Sequence, residues 1–185
     1  FKNPKQFVAE MRKRGIRLMP ILDAGVKQDK DGYDIYKEGI EKGYFVENPD
    51  GTVFVGRVWP GDAVFPDFGR PEVRNWWAKH VKFFADVGAC GVWNDMDEPA
   101  SFDGELPTDL IFHDGEQKTT HTRMHNVFGH LQAQAAYEGM KAATGKRPYI
   151  ITRAAYAGTQ KYSTIWTGDN QSIWSHLQLA IPQLN

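Results

Sequence analysis

Read by the spacing of its apolar positions, the chain alternates helical and strand-like segments. Asn3 can cap a helix that begins at Pro4, keeps Phe7, Val8 and Met11 on its apolar side and ends at Gly15. Residues 16–22 form a short apolar run that reads as a buried strand, although Pro20 cannot donate to a ladder. Residues 24–70 are polar and rich in Gly and Pro, with turn signals at 30–32 and 49–51. So long an insertion in a compact fold is functional or a small subdomain. Pro71 opens a second helix, with Val73, Trp77, Val81 and Phe84 at helical spacing and Gly88 as its stop. Residues 89–94 read as a second buried strand, followed by a loop to about 120. A third helix is expected over 124–144, stopped by Gly145. Strands over 148–152 and 163–167 follow, then a helix over 172–181 with Ile173, Leu177 and Ala180 as its stripe.

Strands alternating with helices predict a parallel sheet with helical crossovers, and unbroken apolar runs predict strands buried on both faces. Only about ten residues separate the third and fourth strands, short for a parallel crossover, so an irregular or single-turn connection is expected there. An open doubly wound sheet and a (β/α)8 TIM barrel both fit this α/β alternation. Asp23, Asp95, Arg153 and Asp169 each fall just beyond the C-terminal end of a strand-like run. That face carries the chemistry in a barrel, which favours the barrel. Four strands are about half of one. The chain starts at Phe1 rather than Met and stops at Asn185 in or just after a periodic apolar stretch. It is therefore expected to be part of a TIM barrel, about four βα units with a long insertion after the first strand.

Composition narrows the function classes. The 185 residues fit one domain, and 41% apolar with 13% aromatic residues allow a packed core. Lys and Arg number 22 against 23 Asp and Glu, and Arg12, Lys13, Arg14 and Arg17 are too few to make a basic patch, so no nucleic-acid partner is expected. No run of about 18 apolar residues exists, so no membrane span is expected. The single cysteine, Cys90, excludes a disulfide framework and reads as a packed thiol, leaving the compartment open. His121 and His125 are spaced to share a helix face, but no third ligand stands at a telling spacing, and no metal is expected. Asp29, Asp31 and Asp34 lack the Gly and closing Glu of a calcium loop. His80 and His176 read as helix-surface residues, and Trp76, Trp77, Phe83 and Phe84 as core. The nucleophile elbow G-x-S-x-G is absent.

Two segments can carry chemistry. Residues 93–99 place Asp95, Asp97 and Glu98 directly after an apolar strand. Mutual repulsion and burial there would raise at least one carboxyl pKa, as acid–base or nucleophilic catalysis needs. A solvated loop with Asp97 and Glu98 exposed fits the spacing equally well. In residues 166–170, Gly168 permits a tight turn that presents Asp169 before the next helix. Taken alone, Asp169 also reads as an ordinary helix cap.

Together the two segments resemble the catalytic motifs of glycoside hydrolase family 31, the α-glucosidase family: W-x-D-M-N-E-P at 93–99 and W-x-G-D-N at 166–170. Further matches lie at Ile21-Leu22-Asp23, at Val58-Trp59-Pro60-Gly61, at His125-Asn126 with Gly129, and at Ile151-Thr152-Arg153. Phe128 stands for the family's Tyr, Ala154 for its Ser, and Asp97 for its usual Asn. The resemblance implies a retaining α-glucosidase without cofactor or metal, acting on α-linked glucose oligosaccharides. It implies Asp95 as nucleophile and Asp169 as acid/base. Asp23, Trp59, Trp93, Met96, Arg153 and Trp166 are implied as sugar-binding residues. Asp97 adds a carboxylate that would raise the pKa of Asp95 if the two approach. A non-catalytic glycan-binding or structural segment, and an α-glucan lyase or transglucosidase of the same family, are the alternatives.

Overall fold

The computed structural model describes residues 2–29 and 31–184, with only the backbone of Leu184. Phe1, Lys30 and Asn185 lie outside the described residues, so of the turn expected at 30–32 only Asp31 and Gly32 are seen. Their amides donate to the Asp29 carboxylate at 3.1 and 3.0 Å, which gives Asp29 a turn-closing role.

The chain begins with α1 (Pro4–Lys13), β1 (Ile21–Asp23), β2 (Val26–Lys27), α2 (Asp34–Glu41), β3 (Gly56–Val58) and β4 (Gly61–Val64). It continues through α3 (Pro71–Asp86), β5 (Gly91–Asp95), β6 (Ile111–Asp114), β7 (Gln117–Thr120) and α4 (His121–Thr144). It closes with β8 (Tyr149–Thr152), β9 (Thr164–Ile165) and α5 (Trp174–Leu184). Asn3 caps α1 as expected, accepting from Gln6 N at 3.1 Å. Gly145, at φ +65°, ends α4 in the left-handed conformation that glycine adopts without steric cost.

Strands β1, β5, β8 and β9 form one parallel sheet in that order. β1 starts later than expected. Leu18 O and Pro20 O accept from Cys90 N and Trp93 N at 3.0 and 2.9 Å, but proline returns no bond. β8 and β9 are joined by a single 3-10 turn at Thr159–Lys161, the short connection their spacing demands. His130 of α4 anchors that turn, 2.9 Å from Thr159 Oγ1.

Helices α3 and α4 cover one face of the sheet. Val73, Trp77 and Val81 of α3 and Ala133, Ala136 and Met140 of α4 are buried with Val92 and Ile150 of the strands. Phe83 departs from the core reading and is more than half exposed. Its position falls outside the stripe set by Val73, Trp77 and Val81. His80 is half-buried rather than free on the surface, 3.0 Å from Glu38 Oε2 and edge-on to Trp76. The expected stripe of α5 does not enter the core; Ile173 and Leu177 are exposed.

The 24–70 insertion folds into an antiparallel sheet, β2-β4-β3, with α2 beside it. The loop before α4 contains a hairpin, β6-β7, that the apolar pattern did not announce. Buried Asp67 fastens this hairpin: His113 Nδ1 lies 2.6 Å from its carboxylate.

The α3–α4 contact turns on Gly139, where a Cβ would stand 2.4 Å from Ala78 O and 2.8 Å from its Cα. Alanine at a free helix position would gain about 1 kcal/mol over glycine. Here the obstruction is backbone, which cannot swing aside, so overpacking wins. Gly139→Ala is expected to destabilise the protein by about 1–3 kcal/mol, read as a lowered thermal midpoint.

Candidate active site

Parallel register builds the site. It sets Asp23, the last residue of β1, directly beside Asp95, the last residue of β5. The next strand, β8, delivers Arg153 one residue past its end. Beyond β9 the backbone turns at Gly168 (φ +83°) and presents Asp169.

Arg153 ties these ends together. Its Nη1 lies 3.3 Å from Asp95 Oδ1 and 3.8 Å from Asp169 Oδ2. Its Nε lies 2.7 Å from Glu98 Oε1, and its Nη2 lies 3.2 Å from both Glu98 Oε2 and the sulfur of Met96. Burial works against the guanidinium charge, but Glu98, Asp95 and Asp169 outweigh it and hold the pKa above its ordinary value. Asp95 also accepts from Met96 N at 3.0 Å. Asp23 has its pKa raised, first by burial and then by the Asp95 charge, with Arg153 pulling the other way. Its Oδ1 is buried and has no hydrogen-bond partner among the described residues. Asp169 is 90% exposed, the most open carboxylate of the set.

Aromatic residues flank the carboxylates. Trp93 and Trp166 meet edge to face at 5.3 Å, and Trp166 N donates to Thr152 O at 3.3 Å. Met96 is buried at φ +54°, a conformation costly for a side chain with a Cβ and concentrated at functional sites. Trp59 stands apart: it is 73% exposed and meets Phe102 edge to face at 4.9 Å. The two loops that carry this pair are locked by Ser101, whose Oγ donates to Arg57 O and accepts from Arg57 N, both at 3.1 Å.

The structure therefore joins Asp23, Asp95, Met96, Arg153 and Asp169 in one contact network, and Trp93 with Trp166 in a second. The sequence placed Glu98, the closest partner of Arg153, in the acid cluster without giving it a role, and did not single out Phe102. The solvated-loop reading of 93–99 does not hold: Asp97 is buried and Glu98 half-buried. Asp97 also does not face Asp95. Its Oδ2 lies 2.5 Å from Thr152 Oγ1, on the core side of the loop. Gly129 explains itself in this setting, because a Cβ there would stand 2.7 Å from Asp97 O and 2.8 Å from Ala154 O. Helix α4 can approach the loops after β5 and β8 that closely only with glycine. His121 and His125 bond to each other at 3.0 Å, and among the described residues no group of three His, Cys, Asp or Glu could hold a metal.

The family model for the glycosyl hydrolases family 31 TIM-barrel domain matches residues 1–185. The chain belongs to glycoside hydrolase family 31. It is 45% identical to alpha-glucosidase 2 of Bacillus thermoamyloliquefaciens over 98% of its own length and 23% of that protein. It is 38% identical to mouse neutral alpha-glucosidase C, over its full length and 21% of that protein. A family 31 alpha-glucosidase from Bacteroides thetaiotaomicron superposes with a TM-score of 0.79 at 40% identity, over 97% of this chain and 29% of that one. The chain thus spans less than a quarter of the length of these two curated relatives. The four-stranded parallel sheet is the TIM-barrel architecture of family 31.

If Arg153 moderates the carboxylate cluster, Arg153→Met removes the one influence of these that lowers the pKa of Asp23. The Asp23 midpoint, read by carboxyl-carbon NMR titration, is expected to move further upward. An unchanged midpoint contradicts this account of the cluster.

Proposed function

We propose that this chain carries the two reacting carboxylates of a retaining α-glucosidase that removes terminal α-linked glucose from oligosaccharides. The observation that carries the reading is that one nitrogen, Arg153 Nη1, contacts both Asp95 and Asp169. Both carboxyl groups lie within 4 Å of that one nitrogen, so they converge on one spot, as the two carboxyl groups of a retaining glycosidase must. Relatives named as alpha-glucosidases support the substrate class.

Asp95 attacks the anomeric carbon as an ionised carboxylate and forms a covalent glycosyl ester. Arg153 Nη1 stands 3.3 Å from its Oδ1. Asp169 gives its proton to the departing glycosidic oxygen, then takes a proton from the water that breaks the ester. Its exposure leaves it open to the leaving group and to that water. Asp23, half-buried at the end of β1 beside Asp95, accepts from a sugar hydroxyl. Trp93 and Trp166 wall the sugar, Met96 packs beneath it, and Trp59 borders the leaving-group side. No step calls for a cofactor or a metal.

The roles separate by leaving group. In the full-length enzyme, Asp95→Ala is expected to lose at least about a thousandfold in turnover of every aryl α-glucoside. Asp169→Ala is expected to lose about 10²- to 10⁴-fold on a poor leaving group and far less on dinitrophenyl α-glucoside, which departs without a proton. A uniform loss across leaving groups contradicts the acid/base role of Asp169.

A further inference from the structure

Asp97 is fully buried, yet among the described residues no cation forms an ion pair with it. Its Oδ1 has no side-chain partner among the described residues, and its Oδ2 meets the hydroxyl of Thr152. That hydroxyl has three polar neighbours: Asp97 Oδ2 at 2.5 Å, Ala154 O at 3.0 Å and Ala154 N at 3.2 Å. A hydroxyl has one proton to give. Asp97 Oδ2 and Ala154 O compete for it; with the Thr152 proton on Ala154 O, Ala154 N donates back to the same hydroxyl. The remaining contact then needs a donor on Asp97. The arrangement closes when the Asp97 carboxyl carries a proton and donates it to Thr152. Thr152 in turn precedes Arg153 directly, and its hydroxyl clamps the backbone on the far side of that residue.

We propose that Asp97 is a positioning residue that, through Thr152, holds Arg153 in place between Asp95 and Asp169. The proposal rests on the α-glucosidase reading for its effect on turnover, but not for the hydrogen bond itself. Asp97 acts as a neutral acid, in the role that an asparagine amide would fill by donating through its nitrogen. Burial pushes its pKa up to about 7 and neighbouring Glu98 adds to the rise, against the pull of a Thr152 hydroxyl turned to donate to the carboxylate, which is the arrangement of the ionised form. The charged groups that act on it are Glu98 on its own loop and Arg153 from β8. Helix α4 faces it with the uncharged backbone of Gly129. When Asp97 ionises, it can no longer donate. Thr152 must then turn its proton to Asp97 and release Ala154 O, and the clamp on Arg153 loosens.

Two variants of the full-length enzyme test this. Asp97→Ala is expected to lower kcat on nitrophenyl α-glucoside about tenfold, the scale of a small displacement of reacting groups. Asp97→Asn is expected to restore most of that loss and to lose less activity than the wild type between about pH 6 and pH 8. Superimposable pH profiles for the Asn variant and the wild type overturn the proposal, as does an Ala variant as active as the Asn variant. Thermal unfolding reads the proton without turnover. A buried acid with a raised pKa contributes stability that is present below the ordinary carboxylate range and lost as pH rises through about 7. The stability gained by Asp97→Asn over wild type is therefore expected to grow from about pH 4 to pH 7 and then level off. A difference independent of pH overturns the neutral acid. A wild type inactive on α-glucosides fails the α-glucosidase reading alone, because the unfolding series still decides the state of Asp97.

Discussion

The acidic end of the sheet depends on one guanidinium. Parallel register forces Asp23 and Asp95 side by side, and the loop after β5 adds Glu98 to the same end. Carboxylates converging on one partly buried spot repel one another and lose water, and both effects raise the pKa of Asp23. Arg153 offsets this from the centre, in contact with Asp95, Glu98 and Asp169 at once. A lysine ammonium could not serve the same way, since the planar fork of arginine offers donors in several fixed directions. The cost of burying the arginine is met by the same carboxylates.

The surrounding architecture can be understood as what holds that arginine still. Strand β8 ends at Thr152, so the guanidinium leaves the sheet at a fixed point. Helix α4 presses on the loops after β5 and β8 through Gly129. The left-handed Met96 places its sulfur 3.2 Å from Arg153 Nη2. These contacts come from segments that are distant in sequence, so the site exists only when the sheet is paired in register.

Much of this was legible in the residues. Apolar runs ending in Asp23, Asp95 and Arg153 located the strands, but burial on both faces did not follow: Ile21, Tyr149 and Ile165 are exposed, because helices α3 and α4 cover one face of the sheet. Gly88 and Gly145 marked helix ends for a steric reason that needs no tertiary information. What stayed hidden depended on distant partners. The β6-β7 hairpin has a polar second strand, Gln117–Thr120, with no alternating pattern, and buried Asp67 and His113 hold it instead. Asp97 and Glu98 are adjacent acids with the same propensities. One enters the core and the other reaches Arg153, and only the geometry of the loop separates them. The stripe of α5 followed helical spacing, yet Leu177 lies on the surface, because periodicity shows which face is apolar and not what covers it.

The central claim is that Asp95 is the nucleophile of a retaining enzyme, held ready by Arg153. Incubating the full-length enzyme with a 5-fluoro α-glucosyl fluoride, then mapping the adduct by peptide mass, tests it most directly, because the reagent traps the covalent intermediate of a retaining mechanism. The account predicts a gain of one fluoroglucosyl group on the peptide that carries Asp95. A label on any other carboxylate, or an active enzyme that takes up no label, would contradict it.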